Sequence, residues 1–201
     1  MLVHWMNIGP DANYQFLEFY SGSGRITKLA GFVGYESVAF DIQYGELLAN
    51  QHMKRSAMDI NSNAGMTIAV SLLLRSRLDE ALAWFACCCS SFVPANRGTS
   101  QRSFLTCMGC EEVPSVRRGS KMFSRSIILM VIAIAAGMTI CLENPQNSLI
   151  GMHEKFIWLV RLLMVYPFIF ARHIVELIPT MLRGPVPIFH QPCASRVEAD
   201  S

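Results

Sequence analysis

Residues 16–41, FLEFYSGSGRITKLAGFVGYESVAFD, decide how this chain is read. The apolar and aromatic run from Tyr14 to Tyr20 suits a buried strand. Ser21-Gly22-Ser23-Gly24 is a small-residue loop, Arg25 to about Phe32 is helical, and Ser37 to Phe40 is a second short strand ending on Asp41. Strand, glycine loop, helix, strand and terminal acid make the first half of a nucleotide-binding α/β fold. The glycines let backbone approach a ligand where a Cβ would clash, and the helix N-terminus offers unpaired N–H groups. An acid about 20 residues beyond the loop is placed to accept hydrogen bonds from ribose hydroxyls.

Two ligand classes use such a loop. A dinucleotide site prefers a third glycine beneath the pyrophosphate, and the register here reads Gly22, Gly24, Thr27. S-adenosylmethionine has no pyrophosphate and needs only the open loop and the acid, so it is the preferred ligand. The alternative is an ordinary βαβ unit with a glycine-rich turn and no ligand.

At 201 residues the chain suits one domain. We expect a lead-in over 1–13, the α/β domain over 14–179 and an irregular tail over 180–201. A formal net charge of +2 neither demands nor excludes a polyanionic partner. The N-terminus lacks the basic start and long apolar segment of a signal peptide. Seven cysteines, an odd number, point to free thiols in a reducing compartment. The expectation is therefore an intracellular protein of nucleus or cytoplasm that is not secreted.

Further along, Tyr44-Gly45 reads as a turn and Asp59 lies where a third loop would reach the ligand, unless it is a helix N-cap or turn acid. Met66 to Arg75 is spaced as a core-covering helix, and Leu82 to Ala86 is a short buried strand. That strand runs into Cys87-Cys88-Cys89. A thiol just beyond a parallel strand's carboxyl end is a candidate nucleophile, although a buried hydrophobe is the fitting description of Cys87. From Ser91 to Ser126 the composition is loop-like. Six cations (Arg97, Arg102, Arg117, Arg118, Lys121 and Arg125) stand there against Glu111 and Glu112, which suits a phosphate backbone or plain solvated charge. Cys107-Met108-Gly109-Cys110 is a single CxxC with no second ligand pair, so no metal is expected. Ser124 to Ala136 predicts a helix and Met138 to Leu142 a strand, which ends on Glu143-Asn144-Pro145. A helix from Glu154 to Val165 follows.

In this order the pieces resemble the cytosine-5 DNA methyltransferases, particularly divergent protist members, over roughly Tyr14 to Leu149. FYSGSGRITKLAGFVG resembles that family's first motif, and Asp41 and Asp59 fall where its second and third acids sit. CCSSFV, Cys88 to Val93, is similar to the P-C-Q-x-F-S nucleophile loop, which aligns Cys89 with the cysteine and Phe92 with the phenylalanine. Glu143-Asn144-Pro145 resembles E-N-V. Cys88 stands where the family has proline and Ser90 where it has glutamine. A Q-x-R-x-R pattern, a recognition domain and the last motif are not found.

The resemblance implies a Rossmann-like, mostly parallel sheet of about six strands with helices on both faces and without a target-recognition domain. It implies S-adenosylmethionine as cofactor, cradled by Tyr20, Ser21, Gly22, Ser23 and Gly24. Asp41 would hold the ribose, Ile42 would pack on the adenine unless it is a core isoleucine, and Asp59 would take the adenine amino group. Cys89 would add to cytosine carbon 6, with Glu143 on ring nitrogen 3 and Asn144 holding the loop or the base. Arg97 and Arg102 are the candidate nucleic-acid contacts, and Arg97 also the cation that would favour a Cys89 thiolate. The partner would be DNA, with RNA as the alternative, and a second chain would supply the missing recognition region. Two rival readings remain: a catalytically inactive relative that keeps the fold, and a small membrane protein with a hairpin over 127–178. Arg161, Pro167, Arg172 and His173 interrupt that hairpin, so a membrane partner is not expected.

Overall fold

Period-two alternation sorts four short strands into two faces. The computed structural model describes residues 13–47, 56–77 and 80–165. The residues before Asn13 and after Val165, including the expected tail and the end of the second apolar run, lie outside the described residues. β1 (Phe16–Phe19) is followed by α1 (Arg25–Phe32), β2 (Ser37–Phe40), α2 (Ile42–Leu47) and α3 (Asn63–Leu73). Then come β3 (Leu82–Phe85), the single turn α4 (Arg97–Ser100), α5 (Pro114–Ala135), β4 (Thr139–Leu142) and α6 (Glu154–Val165).

The fold is α/β and Rossmann-like. Four strands, in the order β2-β1-β3-β4, are all parallel. Leu17, Phe19, Phe40, Ala83, Phe85 and Leu142 share one face and are buried with Ile68, Leu72 and Leu73 of α3 and Phe123, Ile127 and Met130 of α5. Phe19 stacks on Phe85 with ring centroids 4.8 Å apart and tilts against Phe40 at 5.7 Å. Such pairs add about 0.5–1.5 kcal/mol each beyond the area they bury. On the opposite face lie Glu18 and Ser37, and α1 packs there. Thr27 donates from its backbone N–H to Glu18 at 2.7 Å and also from its hydroxyl, and Ser37 donates to the Thr27 carbonyl at 3.0 Å. Helices thus cover both faces.

Three expectations needed correction. The sheet has four strands among the described residues, where about six were expected. Tyr44-Gly45 is not a turn but part of α2. The stretch from Ser91 to Ser126 is not all loop, because α5 begins at Pro114, ten residues before the expected start at Ser124. Proline at the first helical position lacks only an N–H that would be unpaired there anyway. The first turns of α5 carry Arg117, Arg118, Lys121 and Arg125. Among the described residues no helix is long and apolar enough to cross a membrane.

The strands end flush. Phe19 lies opposite Phe40 and Phe85, and Phe85 opposite Leu142. Tyr20, Asp41, Ala86 and Glu143 are therefore the first residues past one common edge. Chain order reverses between β1 and β3, since β2 lies outward on one side and β4 on the other. In open α/β sheets this switch point leaves a crevice in which ligands bind.

Candidate functional site

The glycine loop lies on one side of that switch point. Tyr20, Gly22 and Gly24 all take left-handed backbone angles, φ of 63°, 54° and 64°. For tyrosine this conformation costs about 1–2 kcal/mol. Its hydroxyl is held 2.5 Å from Ser126 Oγ on α5, a contact that ties β1's end to the helix layer. Tyr20 thus points its hydroxyl into the fold, not toward a ligand, and burial pushes its pKa well above the usual phenol range. Ser21 is buried, and Ser23 offers its carbonyl to Lys28 Nζ at 3.0 Å.

Asp41 closes the loop from β2. Its Oδ2 accepts the Gly22 N–H at 2.9 Å, and its Oδ1 accepts the Gln43 N–H at 2.9 Å. Both oxygens keep a second lone pair for a ligand hydroxyl. Tyr44, which the sequence reading did not single out, completes the enclosure. Its hydroxyl donates to the Gly22 carbonyl at 2.7 Å, and a Cβ on Gly24 would lie 2.8 Å from it. Gly22 faces open space. Ile42, beside Asp41, is not a core isoleucine but an exposed one.

Glu18 was also missed, because FLEF reads as an apolar strand. Its carboxylate is buried and takes the amide and hydroxyl of Thr27, so the positive end of α1 already has an internal anion. Thr27 occupies the register of the third dinucleotide glycine.

Across the switch point, Cys87 is a buried thiol whose pKa burial pushes up to about 12, as a core hydrophobe. Cys89 is half-buried. Its carbonyl accepts the N–H of Phe92 at 2.7 Å and of Val93 at 3.1 Å, a tight turn that sends Phe92 into the core. Burial first, and then the charges of Cys88 and Glu143, raise the Cys89 pKa above the ordinary thiol value. Cys89 and Glu143 are thus electrostatic neighbours. Arg97 does not act on Cys89 as expected. It is exposed on α4 and is not among the charges that shift the thiol.

From β4, the Glu143 N–H donates to the Phe85 carbonyl at 2.9 Å and its carboxylate is exposed. Asn144 is half-buried, donates weakly to the Pro145 carbonyl at 3.4 Å, and leaves Oδ1 enclosed with no partner among the described residues. The Leu149 N–H donates to the Phe92 carbonyl at 2.9 Å, which joins the β3 and β4 loops.

Other expected residues have structural work. Asp59 is a turn acid, with Oδ1 accepting the Asn61 N–H at 2.9 Å and Oδ2 lying 3.7 Å from Arg118; Ser62 is the N-cap of α3. Arg102 is not a surface contact for a phosphate. Only 1% exposed, it lies 3.9 Å from the Phe92 ring centroid and donates to the Cys107 carbonyl at 2.6 Å and Ser120 Oγ at 2.9 Å. Arg125 donates to the carbonyl of Ile60 at 2.7 Å and to Asn63 Oδ1 at 2.9 Å, clamping α3 to α5. Two surface hollows lie elsewhere, one along α3 at Asn63, Met66 and Val70, the other between α5 and α6 at Ile127, Ile128 and Trp158.

The structure therefore brings the glycine loop, Asp41, Cys89 and Glu143 to one sheet edge, and takes Arg102 away from the surface. No family model, no curated protein and no solved structure matches this chain.

Proposed function

We propose that this chain is an S-adenosylmethionine-binding, methyltransferase-like protein of the cytosine-5 DNA type. One observation carries the reading: four parallel strands end in register, so that Gly22, Asp41, Cys89 and Glu143, up to 121 residues apart, follow one edge around one switch point. Two details favour this cofactor over a dinucleotide. Thr27 and Glu18 fill the helix N-terminus, so a pyrophosphate would meet a buried carboxylate instead of free amides. Ile42 presents an exposed apolar side chain next to the ribose-facing acid, where an adenine face would cover it.

In this reading Asp41 orients the ribose while keeping the loop closed, Gly22 admits the methionine portion, and Gly24 leaves room for the Tyr44 hydroxyl that braces the loop. Cys89 Sγ adds to carbon 6 of an everted cytosine while Glu143 shares a proton with ring nitrogen 3. Bound S-adenosylmethionine would supply the methyl group for carbon 5, its sulfonium becoming a neutral thioether. Loss of the carbon 5 proton to a base then breaks the sulfur–carbon 6 bond.

A second reading, the non-catalytic relative, is favoured by the raised pKa of Cys89, since addition needs a thiolate and these surroundings disfavour one. Calorimetric titration with S-adenosylmethionine tests the cofactor assignment. Saturable heat that Gly22→Val abolishes is expected, because that side chain would enter the open space before the loop; no heat at millimolar ligand ends the proposal. A 5-fluorocytosine oligonucleotide then separates the two readings, because only an active Cys89 forms an adduct that Cys89→Ser removes.

A further inference from the structure

Helix α1 is amphipathic with its polar side inward. Thr27 bonds Glu18 beneath it, Ala30 is half-buried, and a Cβ on Gly31 would stand 3.2 Å from Ser37 Oγ, so the sheet-facing side is small and polar. The apolar side faces out. Leu29 is 62%, Phe32 89% and Val33 65% exposed, with Ile26 and Tyr35 on the margins, and α1 contributes no buried residue. An isolated surface leucine needs no explanation, but five large apolar side chains on and just after one eight-residue helix form a contiguous patch.

We infer that this face of α1 is a homodimer interface, on which the same helix of a second copy packs antiparallel. Charge pattern selects the occupant. The first turn of α1 holds Arg25 and Lys28 and no acid, the buried Glu18 carboxylate beneath it is taken by Thr27, and the last turn holds no base. Among the described residues Lys28 Nζ donates to the Ser23 carbonyl and faces no acid. An antiparallel second copy brings its own carbonyl end and Glu36 beside these two cations. The arrangement is isologous, so each copy supplies to the other what it lacks. Pairing about Leu29 sets Ile26 of each copy against Phe32 of the other.

Area agrees with this occupant. The exposed apolar surface of the five side chains is roughly 500 Å² per copy, hence about 1,000 Å² for a pair, the threshold for a specific interface. Phe32, nearly fully exposed in the single chain, is the anchor expected to dominate. The inference does not depend on the ligand that occupies the glycine loop.

Sedimentation velocity on the full chain, from about 1 to 100 μM, is the test, because an interface of about 1,000 Å² lies at the small, weak end of specific association. The wild type is expected to shift from monomer to dimer, and Phe32→Asp to weaken the dimer at least about tenfold. Phe32→Asp should leave circular dichroism and melting of the monomer unchanged, since the side chain supports nothing inside the fold. A photoreactive benzophenone side chain at Leu29 should yield a product of twice the chain mass. Three results would overturn the proposal: a wild type that stays monomeric throughout, a Leu29 cross-link within one chain, or protection of the face only when phosphatidylserine vesicles are added.

Discussion

Gly24 and Gly22 share a left-handed backbone angle but not the same surroundings. Alanine at either position costs about 1 kcal/mol for the conformation alone. At Gly24 the new Cβ also meets the Tyr44 hydroxyl at 2.8 Å, while at Gly22 it meets open space. In urea unfolding Gly24→Ala should therefore lose more stability than Gly22→Ala, and the excess should shrink in a Tyr44→Phe background. His153 makes a second residue-scale prediction. Fully buried between Phe92 and Phe123, it accepts the Lys155 N–H on Nδ1, and burial, Arg102 and Lys155 push its pKa down to about 4. The unfolded chain takes up this proton near its ordinary value of about 6.5, the folded chain only near 4. Stability is thus unaffected above the upper value and falls as pH drops between the two, by up to about 3 kcal/mol. His153→Phe keeps a ring in the slot, and its urea midpoints should vary less between pH 7 and 4.

At the scale of elements, α3 and α5 share a packed core, and one side chain adds a polar clamp at the start of α3. Arg125 reaches two carbonyls and an amide oxygen at the start of α3, and Arg125→Ala should cost about 2–3 kcal/mol in denaturant unfolding. Arg125→Lys should restore only part of this, because an ammonium lacks the planar fork. The same residue shows where sequence reading stops. All four strands and the span of α1 were legible, since each is an apolar or periodic run bounded by glycine, proline or a charge. Arg102 and Arg125 were not, because a cation that spends its donors on carbonyls looks the same in sequence as one facing solvent. Nor was the outward side of α1, because a helical stripe of Ile26, Leu29 and Phe32 signals burial without saying against what. Glu18 was hidden in FLEF for the opposite reason, its charge being silent until Thr27 lies above it.

For the whole molecule, the arrangement that matters is four strand ends at one edge, and its pieces were in the sequence as separate clusters. Register was not, and register is what brings Gly22, Asp41, Cys89 and Glu143 to the same side of the sheet. A ligand bridging those segments ties together stretches far apart in the chain. Under the proposed function, S-adenosylmethionine at about 100 times its dissociation constant should raise stability by about 2.7 kcal/mol. The buried contact between Glu18 and Thr27 carries one more consequence. With the helix's positive end neutralised from within, little long-range attraction remains for a counterion atmosphere to weaken. Cofactor affinity should hold within about twofold between dilute buffer and about 0.5 M sodium chloride, whereas capture of a phosphate group would fade steeply as ionic strength rises.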